Sequence, residues 1–300
     1  MVRATVNKII PFSSVDGPGN RTAVFLQGCG FNCRYCHNPE TIHTCLHCGA
    51  CVPYCKPQAL TFVDGRVHYD ITKCVLCDEC FHHCPHGSSP RTRELTAEEV
   101  MAEVRKNMPF IRGVTVSGGE CTRWRDFLVE FLTLAKAEGL HTLLDSNGSY
   151  DFSTDPELMQ VTDGVMLDIK AWTPEDHKRV TGQDNAAVLK NLHWLAENGK
   201  LPEVRTVVVP ELFDCEATVR NVCQILADNG CFGTRYKIIC YRPMGVREAY
   251  KTLTPPTQEQ LRQFRGPEGG NTFGKGTCGS QPCCDRDAQY CQKVWRLYCK

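Results

Sequence analysis

Residues 28 to 40 read GCGFNCRYCHNPE and set Cys29, Cys33 and Cys36 in a C-x3-C-x2-C pattern. Thiolates at such spacing are soft ligands for zinc or for iron–sulfur clusters, and a pocket that holds metal tightly generally has four of them. Three cysteines leave two options. A distant group completes the shell, as in a partial zinc site or a cluster finished from elsewhere, or one metal position stays open for chemistry. Two more runs follow, CLHCGACVPYCKP from Cys45 and CVLCDECFHHCPH from Cys74. Both read C-x2-C-x2-C-x3-C, with every cysteine offset by the same 29 positions, an internal duplication. Eleven of the chain's 21 cysteines thus fall between Cys29 and Cys84. In a reducing compartment such clustering reads as metal or iron–sulfur ligation, not as a disulfide framework.

Between the duplicated runs lies ALTFVDGRVHYD, two alternating apolar stretches around an Asp64-Gly65 hairpin turn. Two cysteine loops flanking such a hairpin resemble the bacterial two-cluster ferredoxin module, where three cysteines of each run hold one 4Fe–4S cluster and the fourth ligates the other. The resemblance assigns Cys45, Cys48, Cys51 and Cys84 to one cluster, and Cys74, Cys77, Cys80 and Cys55 to the second. The first run ends C-K-P where C-P is usual, a departure that leaves the ligand intact. The alternative is a pair of zinc knuckles, but zinc favours C-x2-C pairs across a longer loop over four cysteines within eleven residues. His43, His47, His82, His83 and His86 read as solvated loop residues, not ligands.

RTAVFLQ, Arg21 to Gln27, reads as a buried strand with the three-cysteine loop directly after it. That arrangement resembles the radical SAM superfamily, in which a cubane held by three thiolates leaves one iron to bind the amino and carboxylate groups of S-adenosylmethionine (SAM). VTVSGGE, from Val114, resembles the family's next strand end; it assigns Gly118, Gly119 and Glu120 to the amino end of SAM, with glycines letting backbone approach the ligand. Tyr35 stands where the family has an aromatic residue on adenine, the alternative being a core tyrosine.

One branch fits more closely. SSVDGPGNR, with Asp16 and Arg21, resembles the signature of glycyl radical enzyme activating enzymes, as do CHNPE after Cys36, LLDSNG (143–148), VMLDIK (165–170) and VRTVVVP with Arg205. In that family the positions matching Asp145, Ser146, Met166 and Asp168 surround a monovalent cation, and those matching Asp168, Lys170 and Arg205 lie around SAM. Asp16 joins the three cysteines in the expected catalytic set. Any one of these charges read alone is a surface ion pair, but charges at successive carboxyl ends of parallel strands read as a site. In IICYRPMG the family often has histidine where this chain has Arg242. A hydrogen-bonding cation survives there, expected on SAM or the target peptide, while proton transfer near neutral pH does not.

The elements that must position these residues alternate. Helical patterns in TAEEVMAEVRKN, WRDFLVEFLTLAKAEG and AAVLKNLHWLAENG lie between strands expected near Thr22, Val114, Thr142, Val165, Val204 and Lys237, and Gly139 and Gly199 stand at helix stops. The predicted fold is α/β: an open, partial (β/α)6 barrel over 1–40 and 91–265, with a two-cluster ferredoxin-like domain inserted at 41–90. Residues 266–300, glycine-rich with Cys278, Cys283, Cys284, Cys291 and Cys299 at no cluster spacing, read as a poorly ordered, non-homologous tail. Cys121, Cys215, Cys223, Cys231 and Cys240 read as small apolar residues.

Lys plus Arg and Asp plus Glu both number 34, which selects neither nucleic acid nor an anionic membrane. The start, MVRATVNKIIPFSSVDG, has no long apolar run, and the expectation is a cytoplasmic protein. The resemblance implies an anaerobic activase with three 4Fe–4S clusters, SAM and a monovalent cation. Its partners would be a glycyl radical enzyme and a low-potential donor such as flavodoxin or ferredoxin. Two other functions compete: a radical SAM enzyme acting on a small molecule or peptide, and a non-catalytic electron carrier, which would have no use for an open iron.

Overall fold

The computed structural model describes residues 2–264; the tail cysteines lie outside the described residues. One sheet of eight strands organises the chain. Its elements, in order, are β1 (Arg3–Ser13), β2 (Arg21–Leu26), β3 (Leu60–Val63), β4 (Arg66–Tyr69), α1 (Glu79–His82), β5 (Arg93–Thr96), α2 (Ala97–Arg105), β6 (Gly113–Gly118), α3 (Arg125–Ala137), β7 (His141–Ser146), α4 (Pro156–Val161), β8 (Gly164–Asp168), α5 (Pro174–Thr181), α6 (Ala186–Glu197), β9 (Glu203–Val208), α7 (Cys215–Asp228), β10 (Arg235–Cys240) and α8 (Gln258–Gln263).

The six expected strands are β2, β6, β7, β8, β9 and β10, all parallel and adjacent in that order. Two others were not anticipated. β1 pairs antiparallel with β2, and β5 pairs antiparallel with the far edge of β1. Their mixed burial gives no clean two-residue alternation to read. The helices start and stop on local chemistry. Thr96 caps α2 in a reciprocal box with Glu99, and Gly139, at φ +77°, turns the chain after α3.

The strands separate two environments. Val24, Leu26, Val114, Val116, Leu144, Val165, Leu167 and Val204 pack with Phe127, Leu128, Phe131 and Leu132 of α3 into the main core. Residues of opposite parity, among them Thr115, Ser117, Asp145, Asp168 and Arg205, face the other way. A parallel sheet covered on both faces reads as continuously apolar. This one does so on a single face, and the polar inner face is the functional signal.

Arg21 closes the amino end of that inner face. It is 1% exposed and donates to Thr115 Oγ1 (2.8 Å), Val114 O (2.6 Å) and His141 O (2.8 Å). Burial lowers its pKa to about 10, with Asp163 and Asp16 opposing, so it stays charged at neutral pH.

Residues 43 to 88 leave and rejoin the sheet domain at one neck, where His43 bridges Ser88. Gln27 Nε2 holds the neck by donating to Glu40 O and His43 O, both at 2.7 Å. Within it, β3 and β4 pair as a hairpin whose turn residues Asp64 and Gly65 both take positive φ. Its core is Cys51, Leu60, Val67 and Cys80, too small to be stable without a further staple. No helix among the described residues is long and apolar enough to cross a membrane.

Replacing Arg21 with methionine keeps much of the volume but strips two buried carbonyls and Thr115 of their donor. The expected cost is about 3 kcal/mol, read as a lowered urea midpoint. An unchanged midpoint would show that the amino end of the sheet does not need this clamp.

Candidate active site

The cysteine loop is fixed by backbone on both flanks. Gly28, at φ +98°, turns the chain out of β2. Gly28 N and Cys29 N donate to Thr41 O (2.8 Å) and Ile42 O (2.9 Å); Asn32 N and Arg34 N donate to Thr181 O (2.8 Å) and Val180 O (2.9 Å) at the end of α5. Cys29, Cys33 and Cys36 then line one cavity of about 210 Å³ at the carboxyl ends of the parallel strands. Burial pushes the Cys29 thiol up to about 11 and the Cys33 thiol up to about 12, and raises Cys36 as well. Left alone, these thiols keep their protons, so metal binding here releases them. Among the described residues no three His, Cys, Asp or Glu groups come together tightly enough for a single metal ion.

The opposite wall comes from strand ends. Gly118 and Gly119 line the cavity, and their lack of side chains also serves a contact within the sheet. A Cβ on Gly118 would lie 2.1 Å from Leu26 O, and one on Gly119 would lie 2.4 Å from Gly28 O. The missing side chains let β6 close on the cysteine loop. Glu120 does not line the cavity either. It is 2% exposed and accepts from Thr122 Oγ1 (2.8 Å), Ser146 Oγ (2.9 Å) and Asn147 N (2.8 Å). Burial raises its pKa, and the Asn147 amide leads the contacts that pull it back. It fixes the turn after β7 from behind, and Asn147 Nδ2 in turn donates to Cys29 Sγ at 3.5 Å.

Two ion pairs stand on the inner face. Asp145 accepts from Ser117 Oγ and Arg205 Nη1, each at 2.9 Å. Burial raises Asp145, Arg205 opposes, and nearby Asp168 adds to the rise. Lys170 Nζ donates to Asp168 Oδ2 at 2.8 Å. Despite burial, Asp168 and then Cys33 hold the ammonium well above its ordinary value. Arg205 also pairs with Glu203, and its Nη2 lies 3.3 Å from Met166 Sδ. Asp145, Ser146, Asp168, Lys170 and Arg205 all line the cavity; Met166 is fully buried and does not. Tyr35 lines it too, 2% exposed, with a hydroxyl that has no hydrogen-bond partner.

Two expected members lie elsewhere. Asp16 is outside the cavity lining: its carboxylate accepts from Ser13 Oγ and its carbonyl from Thr115 Oγ1 at 2.6 Å. Arg242 is exposed and also off the lining, and its carbonyl accepts from His37 Nε2 at 2.9 Å. The strand ends at β10, and the residue two beyond its last member has already turned outward. His37 and Asn147 line the cavity but were not singled out. Both sit in quoted motifs, CHNPE and LLDSNG, so the signal for them was present.

The residues fit a polynuclear cluster with a chelating amino-acid ligand. Among the described residues, three thiols without a fourth share a cavity with paired carboxylates and cations, a strand edge of glycines and an orphaned phenol. In the insert, Cys55, Cys74, Cys77 and Cys80 line one small cavity together with Tyr69 and Arg91. Cys45 is raised first by burial, and Cys84 and Cys48 are near enough to add to it. Cys48 and Cys77 are exposed, Cys51 and Cys80 buried.

Residues 23–221 match the model of the radical SAM superfamily. A pyruvate formate-lyase-activating enzyme of Streptococcus mutans is 31% identical over 88% of this chain and 90% of its own length. An indoleacetate decarboxylase activating enzyme of Tractidigestivibacter scatoligenes is 31% identical, covering 88% and 93%. A (2S)-3-sulfopropanediol sulfolyase activating enzyme of Bilophila wadsworthia is 31% identical, covering 78% and 83%.

Exchanging Glu120 for glutamine would turn an amide donor toward Thr122, Ser146 or Asn147, each of which already donates. Stability is expected to fall by about 1–3 kcal/mol, read in a urea titration. A midpoint equal to wild type would mean the carboxylate does not anchor the turn.

Proposed function

Because the chain belongs to the radical SAM superfamily and, within it, to the glycyl radical enzyme activating enzymes, we propose that it activates a glycyl radical enzyme with a SAM-binding cluster at Cys29, Cys33 and Cys36 and two relay clusters in residues 41–90. The carrying observation is three thiols, with no fourth among the described residues, on one cavity with the Lys170–Asp168 and Arg205–Asp145 pairs. When bound, the cluster supplies the electron that splits SAM into methionine and a 5′-deoxyadenosyl radical, which takes hydrogen from a glycine of the partner.

The chain's own residues bind, orient and exclude water. Lys170 and Arg205 offer donors to the SAM carboxylate, and the Gly118–Gly119 edge offers backbone to its amino group. Tyr35 packs on adenine. Phe31, Ile42, Val207 and Ile239 add apolar surface to a wall that also carries His37, Asn38, Thr41 and Asn147, and where they exclude water they strengthen the polar contacts inside. Asp145, Ser146, Met166 and Asp168 are the proposed holders of a monovalent cation; Asp145 is raised by burial and by Asp168 although Arg205 opposes, which supports a further positive charge there. Arg242, exposed at the rim, is assigned to the incoming polypeptide in preference to SAM.

Residues 1–40 and 91–265 form the proposed barrel and 41–90 the proposed ferredoxin-type insert. The grouping of Cys55 with Cys74, Cys77 and Cys80, across the two runs, supports the exchange of fourth ligands in such modules. A flavodoxin- or ferredoxin-type donor would supply low-potential electrons to it.

Anaerobically reconstituted protein, given SAM and a strong reductant, should release 5′-deoxyadenosine and methionine, and with its partner should generate a glycine-centred radical visible by electron paramagnetic resonance (EPR). Alanine at Cys29, Cys33 and Cys36 should remove about four irons and abolish cleavage. Cys48→Ala should spare cleavage driven by a small reductant while losing that driven by a protein donor. Arg242→Ala should spare SAM cleavage and weaken glycine activation. SAM cleavage with no radical on any glycyl radical enzyme of the same cell would move the reading to a small-molecule or peptide substrate.

A further inference from the structure

We propose that Arg91 sets the reduction potential of the cluster at Cys55, Cys74, Cys77 and Cys80 above that of the cluster at Cys45, Cys48, Cys51 and Cys84. An electron entering the insert then settles beside Arg91 before it moves to the barrel. The inference rests on the ferredoxin-type reading of residues 41–90.

Arg91 lines the same small cavity as those four cysteines, and its side chain is 15% exposed. Two neighbours hold it. Its Nη2 pairs with Asp78, and Ser89 Oγ accepts from Arg91 N (3.2 Å) and Nε (3.5 Å). Arg91 and Tyr69 thereby share the cavity wall with Cys74.

Among the described residues, no arginine or lysine donates a hydrogen bond to a thiol of the first ligand set. Cys84 Sγ accepts from Ser88 N at 3.5 Å and faces Ser88 Oγ at 3.4 Å, and Cys45 Sγ accepts from His47 N at 3.4 Å. These donors are neutral. Arg66 acts on Cys45 only through space, from an exposed position where solvent and salt screen it.

Reduction adds one negative charge to a cluster, taken from a low-potential one-electron donor. A nearby cation and donors to sulfur stabilise the reduced form, which raises the potential. Asp78 offsets part of this, but its side chain is 51% exposed, so water weakens its charge more than that of Arg91.

The test follows potentials and needs no turnover. Full-length protein is reconstituted and its clusters titrated potentiometrically by EPR, without SAM. Wild type should carry about twelve irons and show three midpoints. Arg91→Ala should move one midpoint to lower potential and leave two in place. Arg91→Lys, which keeps charge but loses the planar fork, should move the same one less, and Asp78→Asn should move it upward. Unchanged midpoints in both Arg91 variants at full iron content would overturn the proposal, as would an equal shift of all three. Should the alanine variant lose iron, the lysine and asparagine variants decide. About four irons in wild type would instead remove the ferredoxin reading itself.

Discussion

Everything at the site depends on how closely the end of β6 approaches the end of β2. At Gly118 and Gly119 the backbone lies where a Cβ would meet Leu26 O at 2.1 Å and Gly28 O at 2.4 Å. That contact is locked by Gly119 N to Leu26 O (3.0 Å) and Glu120 N to Gly28 O (2.8 Å). It places Glu120 behind the wall, where it takes the Ser146 hydroxyl and the Asn147 amide. Asn147 then reaches Cys29. A closed circuit of backbone and buried hydrogen bonds thus joins β2, β6 and β7 to the first thiol, and the side chains it uses, Glu120, Ser146 and Asn147, are all buried. Positioning of this kind lowers the reorganisation that a reaction at the site would require.

Electrostatics complete the arrangement. The inner face of the sheet is polar, but its charges come in pairs: Lys170 with Asp168, Arg205 with Asp145 and Glu203. Unpaired, each would carry the several-kcal/mol penalty of a buried ion. Paired, they leave a cavity that offers both signs of charge across a short span, which suits a zwitterionic ligand such as the methionine part of SAM. The thiols opposite are protonated by burial until a metal displaces the protons, so assembly of the cluster and completion of the fold around it are coupled. In residues 43 to 88 two of the four core residues are themselves cysteines, so the proposed clusters there would be coupled to folding still more strongly.

Much of this was legible in the sequence because spacing encodes it. Short apolar strands alternating with amphipathic helices gave six parallel strands in chain order, and the first cysteine run marked a loop whose three thiols line one cavity. What escaped was set by tertiary contact. β1 and β5 alternate too irregularly to be read alone; they are strands because β2 offers β1 an edge and β1 offers another to β5. The glycines of SGGE were legible as glycines, but the backbone they accommodate is distant in sequence. Glu120 was expected at the ligand because the resemblance places the whole Gly-Gly-Glu segment there; its side chain is buried, where Ser146 and Asn147 satisfy it. Arg242 and Asp16 lie off the cavity wall, since a motif fixes which loop a residue belongs to and the turn geometry decides which way it faces.

The central claim is that the cavity bounded by Cys29, Cys33 and Cys36 holds a cluster with one iron open to SAM. Electron–nuclear double resonance on the reduced protein, with SAM labelled by nitrogen-15 at the amino group and oxygen-17 at the carboxylate, tests it most directly. The account predicts hyperfine coupling of both labels to the cluster, of a size that requires direct iron ligation, and its loss when Cys29, Cys33 and Cys36 are replaced. Absence of coupling from a protein whose cluster is assembled and whose SAM is bound would contradict it.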